Sequence, residues 1–475
     1  MNTNKTNLAL LVALVLTVGW SSVSVMQVEP RDLKAEFAFS GVADVSREAL
    51  EALSTTVVGL PCTTDVGTLP GVSDGNGNVG MSGPYPCTNV GLQALVPLAE
   101  LGGGAGNDSW GWEDPDSEDP DNPFRVAIMG TGVGTAFVDV SNPTVPVVLG
   151  TVAQAGSATT GATGAVWRDI KVNDNHAFIV TERGGGMQVV DLTQLRALRG
   201  TPSLDQLDVL TTYTEHDADS NFHNIVINED TDRAYLVGGT FQGGLHIVDI
   251  ADPAQPRTIG AFATDGYTHD AQCVVYAGPD DDYNGTNAVD GEPSEICFAY
   301  NEDSLTIVDV TDPLATRLIN KLDYEREGYT HQGWLTPDHA FAVFNDELDE
   351  GPTAALGTRT FMVELQDLDA AYTADDVKIY THDTVSTDHN LYIRGDLIFE
   401  ANYNAGLKIF RYTAEGLRNG ELDLVGSFDV DPGLDVPAYG GAWNVFPYFD
   451  DDTIIVSSLD EGLYVLAFTD PGAPE

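Results

Sequence analysis

Seven times along the chain a short pattern recurs, Gly-x-x-apolar-apolar-Asp-apolar, and it restricts the fold more than any other feature. The clear copies are GTAFVDV (134–140), GMQVVDL (186–192), GLHIVDI (244–250) and SLTIVDV (304–310). Weaker copies are RTFMVEL (359–365), GLKIFRY (406–412) and GLYVLAF (462–468). Measured at the acidic position, the column runs Asp139, Asp191, Asp249, Asp309, Glu364, Arg411 and Ala467, with gaps of 52, 58, 60, 55, 47 and 56 residues. A period near fifty residues is the mark of a repeat architecture.

Each copy is short, apolar and rich in β-branched residues, which reads as a strand. SNP, ADP or TDP follows three copies as a turn signal, and a further apolar segment such as PRTIGAFA comes next. A strand pair precedes each copy, for example HNIVIN followed by RAYLVGG. The unit is therefore four strands with almost no helix, and seven such units predict an all-β, seven-bladed β-propeller around a central channel. The last copy is followed only by TDPGAPE and lacks a fourth strand, whereas GLQALVPLAELG (91–102) precedes the first unit as an orphan strand. Closure of the ring by that N-terminal strand accounts for both. The expected organisation is an N-terminal signal or anchor over 1–27, a Gly-rich extension over 28–90 and the propeller over 91–475.

Aligning the first strand of every unit produces two adjacent columns. One reads Asn107, Arg168, His223, His269, His331, His389 and Trp443; the next reads Asp108, Asp169, Asn224, Asp270, Gln332, Asn390 and Asn444. GYTHD and GYTHQ are successive blades showing the same position. The first strand lies nearest the axis, so the columns predict a ring at the channel mouth. Three roles stay open for the histidines. They could hold a transition metal, with the neighbouring Asp, Asn and Gln as a supporting shell. They could supply acid–base groups near neutral pH. They could equally be structural, since successive strand residues point to opposite faces and both columns should not face the axis alike. His176, His216, His246, His339 and His382 fall elsewhere and read as surface or packing residues.

In the insertion 278–297, Asp280, Asp282, Asn284 and Gly285 match the opening of a calcium loop, although position twelve is Gly291 and no helices flank it. DGNGN (74–78) is a fainter version, and the acidic runs 113–122 and 345–351 are expected to be solvated surface. Trp110, Trp112, Trp167, Trp334 and Trp443 lie in or beside first strands; core packing is the first expectation for them and stacking on a sugar or other ring the second. No G-x-S-x-G, H-E-x-x-H or P-loop occurs.

The formal net charge is −52, from 73 acidic and 21 basic residues. Phosphate backbones and anionic lipid surfaces would be repelled, which excludes nucleic-acid binding. The opening MNTNKTNLALLVALVLTVGW has the order of a secretory signal, with an uncleaved anchor as the alternative. Four cysteines in an exported chain suggest disulfides, and the local pairing Cys62–Cys87 with Cys273–Cys297 is the expected one.

The repeats GLHIVDI and SLTIVDV resemble the LVIVD repeat of bacterial and archaeal surface propellers. The ordered series NDSWGW, WRDIKV, HNIVIN, GYTHDAQC, SEICFAYNED, GYTHQGWLT and DHNLYI resembles, more specifically, the choice-of-anchor B family of exported proteins over residues 85–468. The resemblance implies an exported or surface-attached propeller without an assigned activity, and it supplies no catalytic residues. That family carries varied C-terminal sorting signals; the ending FTDPGAPE shows none, so a secreted or periplasmic protein is expected unless the N-terminal segment stays uncleaved, and a monomer is the expected state. The functional expectation is a binding or interaction propeller with an extracellular ligand or protein partner. The alternative is a hydrolytic or oxidative enzyme whose metal is held by His223, His269, His331 and His389.

Overall fold

The computed structural model describes residues 59–63, 80–117, 119–155, 167–182, 184–214, 220–239, 242–288, 291–350 and 357–472. Seven antiparallel sheets follow one another along the chain, each of four consecutive strands in the first five blades. Blade 3 shows the plan, with strands Asn224–Asn228, Arg233–Val237, Leu245–Asp249 and Arg257–Phe262 paired in order. Blade 7 takes Ala442–Phe446, Thr453–Ser458 and Gly462–Phe468, and its fourth strand is Val90–Pro97, antiparallel to Gly462–Phe468. The ring is closed by the N-terminal strand, as the orphan segment predicts.

The extension does something the sequence did not announce. The hairpin Gly80–Ser82 and Tyr85–Thr88 adds to the outer edge of blade 6, where Cys87 opposes Phe428, and makes a six-stranded sheet. Cys62 is bonded to Cys87, and Cys273 to Cys297 across the first two strands of blade 4. Residues 1–58 and 64–79, which include the expected signal segment and DGNGN, lie outside the described residues.

Why the repeat keeps its pattern is visible at both ends of the third strand. The apolar run is buried on both faces because each blade is packed between two others. Val226, Tyr235, Val237 and Ile247 of blade 3 meet Ala271, Cys273, Cys297 and Ala299 of blade 4, while Ile225, Ala234, Leu236 and Val248 pack towards Phe178, Val180 and Val189 of blade 2. The Asp that ends the run caps the following turn: Asp139, Asp191, Asp249 and Asp309 accept the N–H two residues on, at 2.9, 2.9, 3.0 and 3.1 Å. A short carboxylate at that position satisfies a turn donor that no strand would reach.

Candidate functional site

The first strands line the axis, and their opening residues form a continuous aromatic arc. Ring centroids of His223 and His269 lie 4.2 Å apart, His269 and His331 4.2 Å, His331 and His389 4.4 Å, and His389 and Trp443 4.3 Å. Trp443 in turn stacks on Trp167 at 4.5 Å. All four histidines are buried.

Strict alternation would forbid two adjacent columns near the axis, and the backbone departs from alternation here. An extra residue is inserted in the first strand between Gly106 and Ser109, between Thr330 and Gly333, and between Ala442 and Asn444. In blades 3 and 4, Asn224 and Asp270 stand opposite Val237 and Tyr300, and the N–H groups of His223 and His269 bond to those same two residues. Such bulges re-aim one side chain without breaking the sheet.

The Asp/Asn/Gln column ties the blades together. Asp108 accepts from Ile170 N at 3.1 Å, Asp169 from Ile225 N at 2.7 Å and Gln332 from Leu391 N at 2.8 Å. Asn224 bonds Asp270, Asn390 donates to Asn444 at 3.1 Å, and Asn444 donates to Ser109 O. The fourth-to-fifth blade step is made by Gln272, which accepts from Leu335 N at 2.7 Å. The circle is complete, each bond joining one blade to the next. Lys171 lies among Asp108, Asp169 and Asp270 and pairs with Asp169 at 2.5 Å. Burial alone would raise the Asp169 carboxyl, but Lys171 and the Asp108 hydrogen bond outweigh it and hold it below the ordinary range. Burial and the neighbouring Asp169 push Asp108 well up, and Asp270 up to about 8. Arg168 is buried beside Asn107, with its Nε donating to Thr131 O at 2.8 Å.

Two of the four predicted histidines converge on a third group that sequence reasoning missed. His331 Nε2 lies 3.8 Å from Glu347 Oε2, and His389 Nε2 lies 3.6 Å from Glu347 Oε1. The three ligand atoms lie within 4.8 Å of one another, and all three side chains are buried. Four donors placed tetrahedrally at ~2.0–2.1 Å from a zinc-like ion are about 3.3–3.4 Å apart, so the three side chains would close by up to about 1.4 Å to grip one. His389 Nδ1 bonds the backbone carbonyl of Trp443, which can only accept, so this nitrogen carries a proton and, in the neutral ring, Nε2 holds the lone pair. Metal-bound histidines are commonly oriented in this way. Tyr403 donates to Glu347 Oε1 at 2.6 Å and fixes the carboxylate. His269 points its Nδ1 at His331 O, 2.9 Å away, and His223 pairs with Glu182; neither joins the converging group.

The acidic run 345–351, expected to be solvated, is the main correction. Asn345, Asp346, Glu347, Asp349 and Glu350 are buried at the channel mouth. The reason is hydrogen bonding. Asp346 accepts the N–H groups of Gly328 and Tyr329 at 2.7 Å each and the Tyr324 hydroxyl at 2.7 Å, so the run folds inward and clasps the GYTHQ turn. Among the described residues the cation that answers this wall is Arg359, paired with Asp349. Among the described residues of the other run, Asp116 and residues 119–122 keep their expected exposure, whereas Asp114 is buried against Arg196 and the half-buried Glu113 pairs with Arg125.

The calcium-loop residues make hydrogen bonds within the loop and to Leu368. Asp280 accepts from Asp282 N at 3.0 Å and from Leu368 N at 2.7 Å, Asn284 donates to Gly278 O at 3.0 Å, and Asp282 accepts from Asn287 at 2.8 Å. Of the remaining histidines, His246 and His382 are packing residues and His216 lies outside the described residues. Trp112, Trp167 and Trp443 are buried, whereas Trp110 and Trp334 are half-buried along the channel.

Comparison with known proteins adds to the fold. Residues 134–154 and 234–264, in blades 1 and 3, match the LVIVD repeat. The chain is similar to U3-55K at 10% identity, TM-score 0.47, over 75% of this chain and 94% of that one. It is also similar to the computationally designed Ika8 protein at 9% identity, TM-score 0.43, over 87% and 98%. A further likeness is to the beta-propeller domain of Myceliophteria_thermophila Cps50 (Swd1), at 12% identity, TM-score 0.42, over 72% and 93%. Comparison with curated proteins gives no match. Among the described residues no helix is long and apolar enough to cross a membrane.

Proposed function

We propose that this chain, an LVIVD-repeat β-propeller, is an exported binding protein of the choice-of-anchor B type that holds a transition-metal ion at one mouth of its channel. The observation that carries the reading is the convergence of His331, Glu347 and His389, each from a different turn or strand and each buried. Two imidazoles and one carboxylate are a donor set suited to first-row metals rather than to calcium. Export is supported by the opening apolar segment, the two disulfides and the charge of −52.

A second reading follows from the ligand count. Three protein ligands leave a coordination position open, which is how zinc hydrolases bind the water they activate. Elemental analysis of untagged, dialysed protein tests the binding reading. About one transition metal per chain is expected in the wild type and in His223→Ala, and well under a tenth of that in Glu347→Gln and His331→Ala. Circular dichroism must show these variants folded. Metal retained at full content in folded Glu347→Gln refutes the assignment. Hydrolysis of model esters or phosphoesters that disappears together with the metal would establish the second reading.

A further inference from the structure

Further along the same first strands the channel opens into a cavity of about 250 Å³, separated from the histidine ring by the Asp108–Asp169–Lys171 layer. The volume falls just under the ~300–1,000 Å³ of ordinary small-molecule sites, which limits the occupant to one ring. Its wall is aromatic. Tyr392 stands between Trp110 and Trp334, edge-on to both, with centroids 5.4 and 5.0 Å away. Both indoles are half-buried, so part of each ring borders the cavity.

The polar groups interleave with those rings. Gln272 and Gln332 both line the cavity, and each uses its amide oxygen to accept a backbone N–H of the next blade. Among the described residues neither NH2 has a partner, and both remain as donors. Lys171 also lines the space; its ammonium is neutralised by Asp169 and lies 4.7 Å from the centre of the Trp110 ring. Acceptors come from Asp270 on the inner side and from the exposed Glu229 and Asp230 at the rim.

We infer that this axial cavity binds a neutral hydroxylated ring, a single sugar residue. The paired ammonium of Lys171 already occupies the Trp110 face where a cationic ligand would seat, and an anionic ligand would meet Glu229 and Asp230. Hydroxyl groups donate and accept at once, so a ring that carries several can use the mixed set on both sides. The C–H faces of a pyranose suit the uncovered parts of the Trp110 and Trp334 indoles, where aromatic contact is favourable without requiring charge. The site shares no residue with the His331–Glu347–His389 group, and its occupation does not depend on a metal.

Tryptophan fluorescence of the full chain, titrated with glucose, galactose, mannose and their methyl glycosides in chelator, tests this. Choline and inorganic phosphate are the charged comparators. A saturable change with at least one neutral sugar is expected, weakened at least tenfold in Trp334→Leu and severalfold in Asp230→Ala, and unchanged in Glu347→Gln. Asp230 is exposed, so its variant keeps the test decisive if Trp334→Leu fails to fold. The inference is overturned if no sugar gives saturation, if Asp230→Ala binds as well as the wild type, or if choline or phosphate saturates instead.

Discussion

The protein should gain stability as the pH falls from 8 towards 5.5, the reverse of what paired carboxylates give most proteins. Three buried carboxyls supply the magnitude. Burial holds Glu461 near 8 against an ordinary value of 4.5, although its bond from Ser458 Oγ lowers it in part. Glu400, buried and hydrogen-bonded by Thr360 and Asn402, titrates near 7, and Asp429 near 6, burial there exceeding the pull of Lys408. At pH 7 the folded chain then carries about 1.5 protons on these groups while the unfolded chain carries almost none. His382 runs the other way, because burial lowers it to about 3 while the unfolded side chain holds about 0.2 proton at pH 7. Net uptake on folding is about 1.3 protons, so stability falls by about 2 kcal/mol per pH unit near neutrality. The raised carboxyls stabilise fully below their unfolded values and lose that contribution as the pH climbs through 6 to 8. His382 loses its own below 6.5, but at pH 5.5 this offsets less than half of what the carboxyls contribute, so stability is still rising there as the pH falls. Asp108 and Asp270 are raised as well, so the slope is a floor. Urea denaturation at pH 5.5, 6.5, 7.5 and 8.5 in chelator measures it. Glu461→Gln should remove about 1.2 kcal/mol per pH unit of the slope at pH 7. Stability that is flat, or that rises between pH 6 and 8, would refute the protonated-core argument.

Two further outcomes test the frame of the propeller. Replacing Cys273 and Cys297 by Ala opens a link across 24 residues of sequence and should cost about 3 kcal/mol in chemical denaturation, with metal content unchanged. Leu92, fully buried opposite Leu466 in the closing strand, should cost about 2–5 kcal/mol as Leu92→Ala; a cost below 1 kcal/mol would mean that blade 7 does not depend on its N-terminal strand.

Most of the fold could be read in the sequence because a propeller repeats one unit. Period, turn signals and a missing fourth strand were enough to close the ring. The place of Tyr85–Thr88 was not legible, since a strand at the edge of a sheet leaves no periodic trace and its partner lies some 340 residues away at Asp423–Phe428. The site was half legible. Alignment found the histidine column, but period-two reasoning set it against its neighbour because an inserted residue at a bulge is invisible without a partner strand. Glu347 was missed for a different reason. Its run of acids looked like solvated surface, and only the N–H groups of Gly328 and Tyr329 turn it inward. One signal was available: the turn between second and third strands lies at the same mouth as the histidines, and it carries an acid in TERG, YNED, NDELDEG and LDEG.

Closure by Val90–Pro97 also sets an order of events. Its partner, Gly462–Phe468, is made some 370 residues later, so the final seam cannot form until that strand has left the ribosome. Joining ends that far apart costs roughly 3 kcal/mol more chain entropy than closing a hairpin of ten residues. Until then the first and last blades hold open edges, the species most exposed to wrong pairing in slow, non-local β topologies.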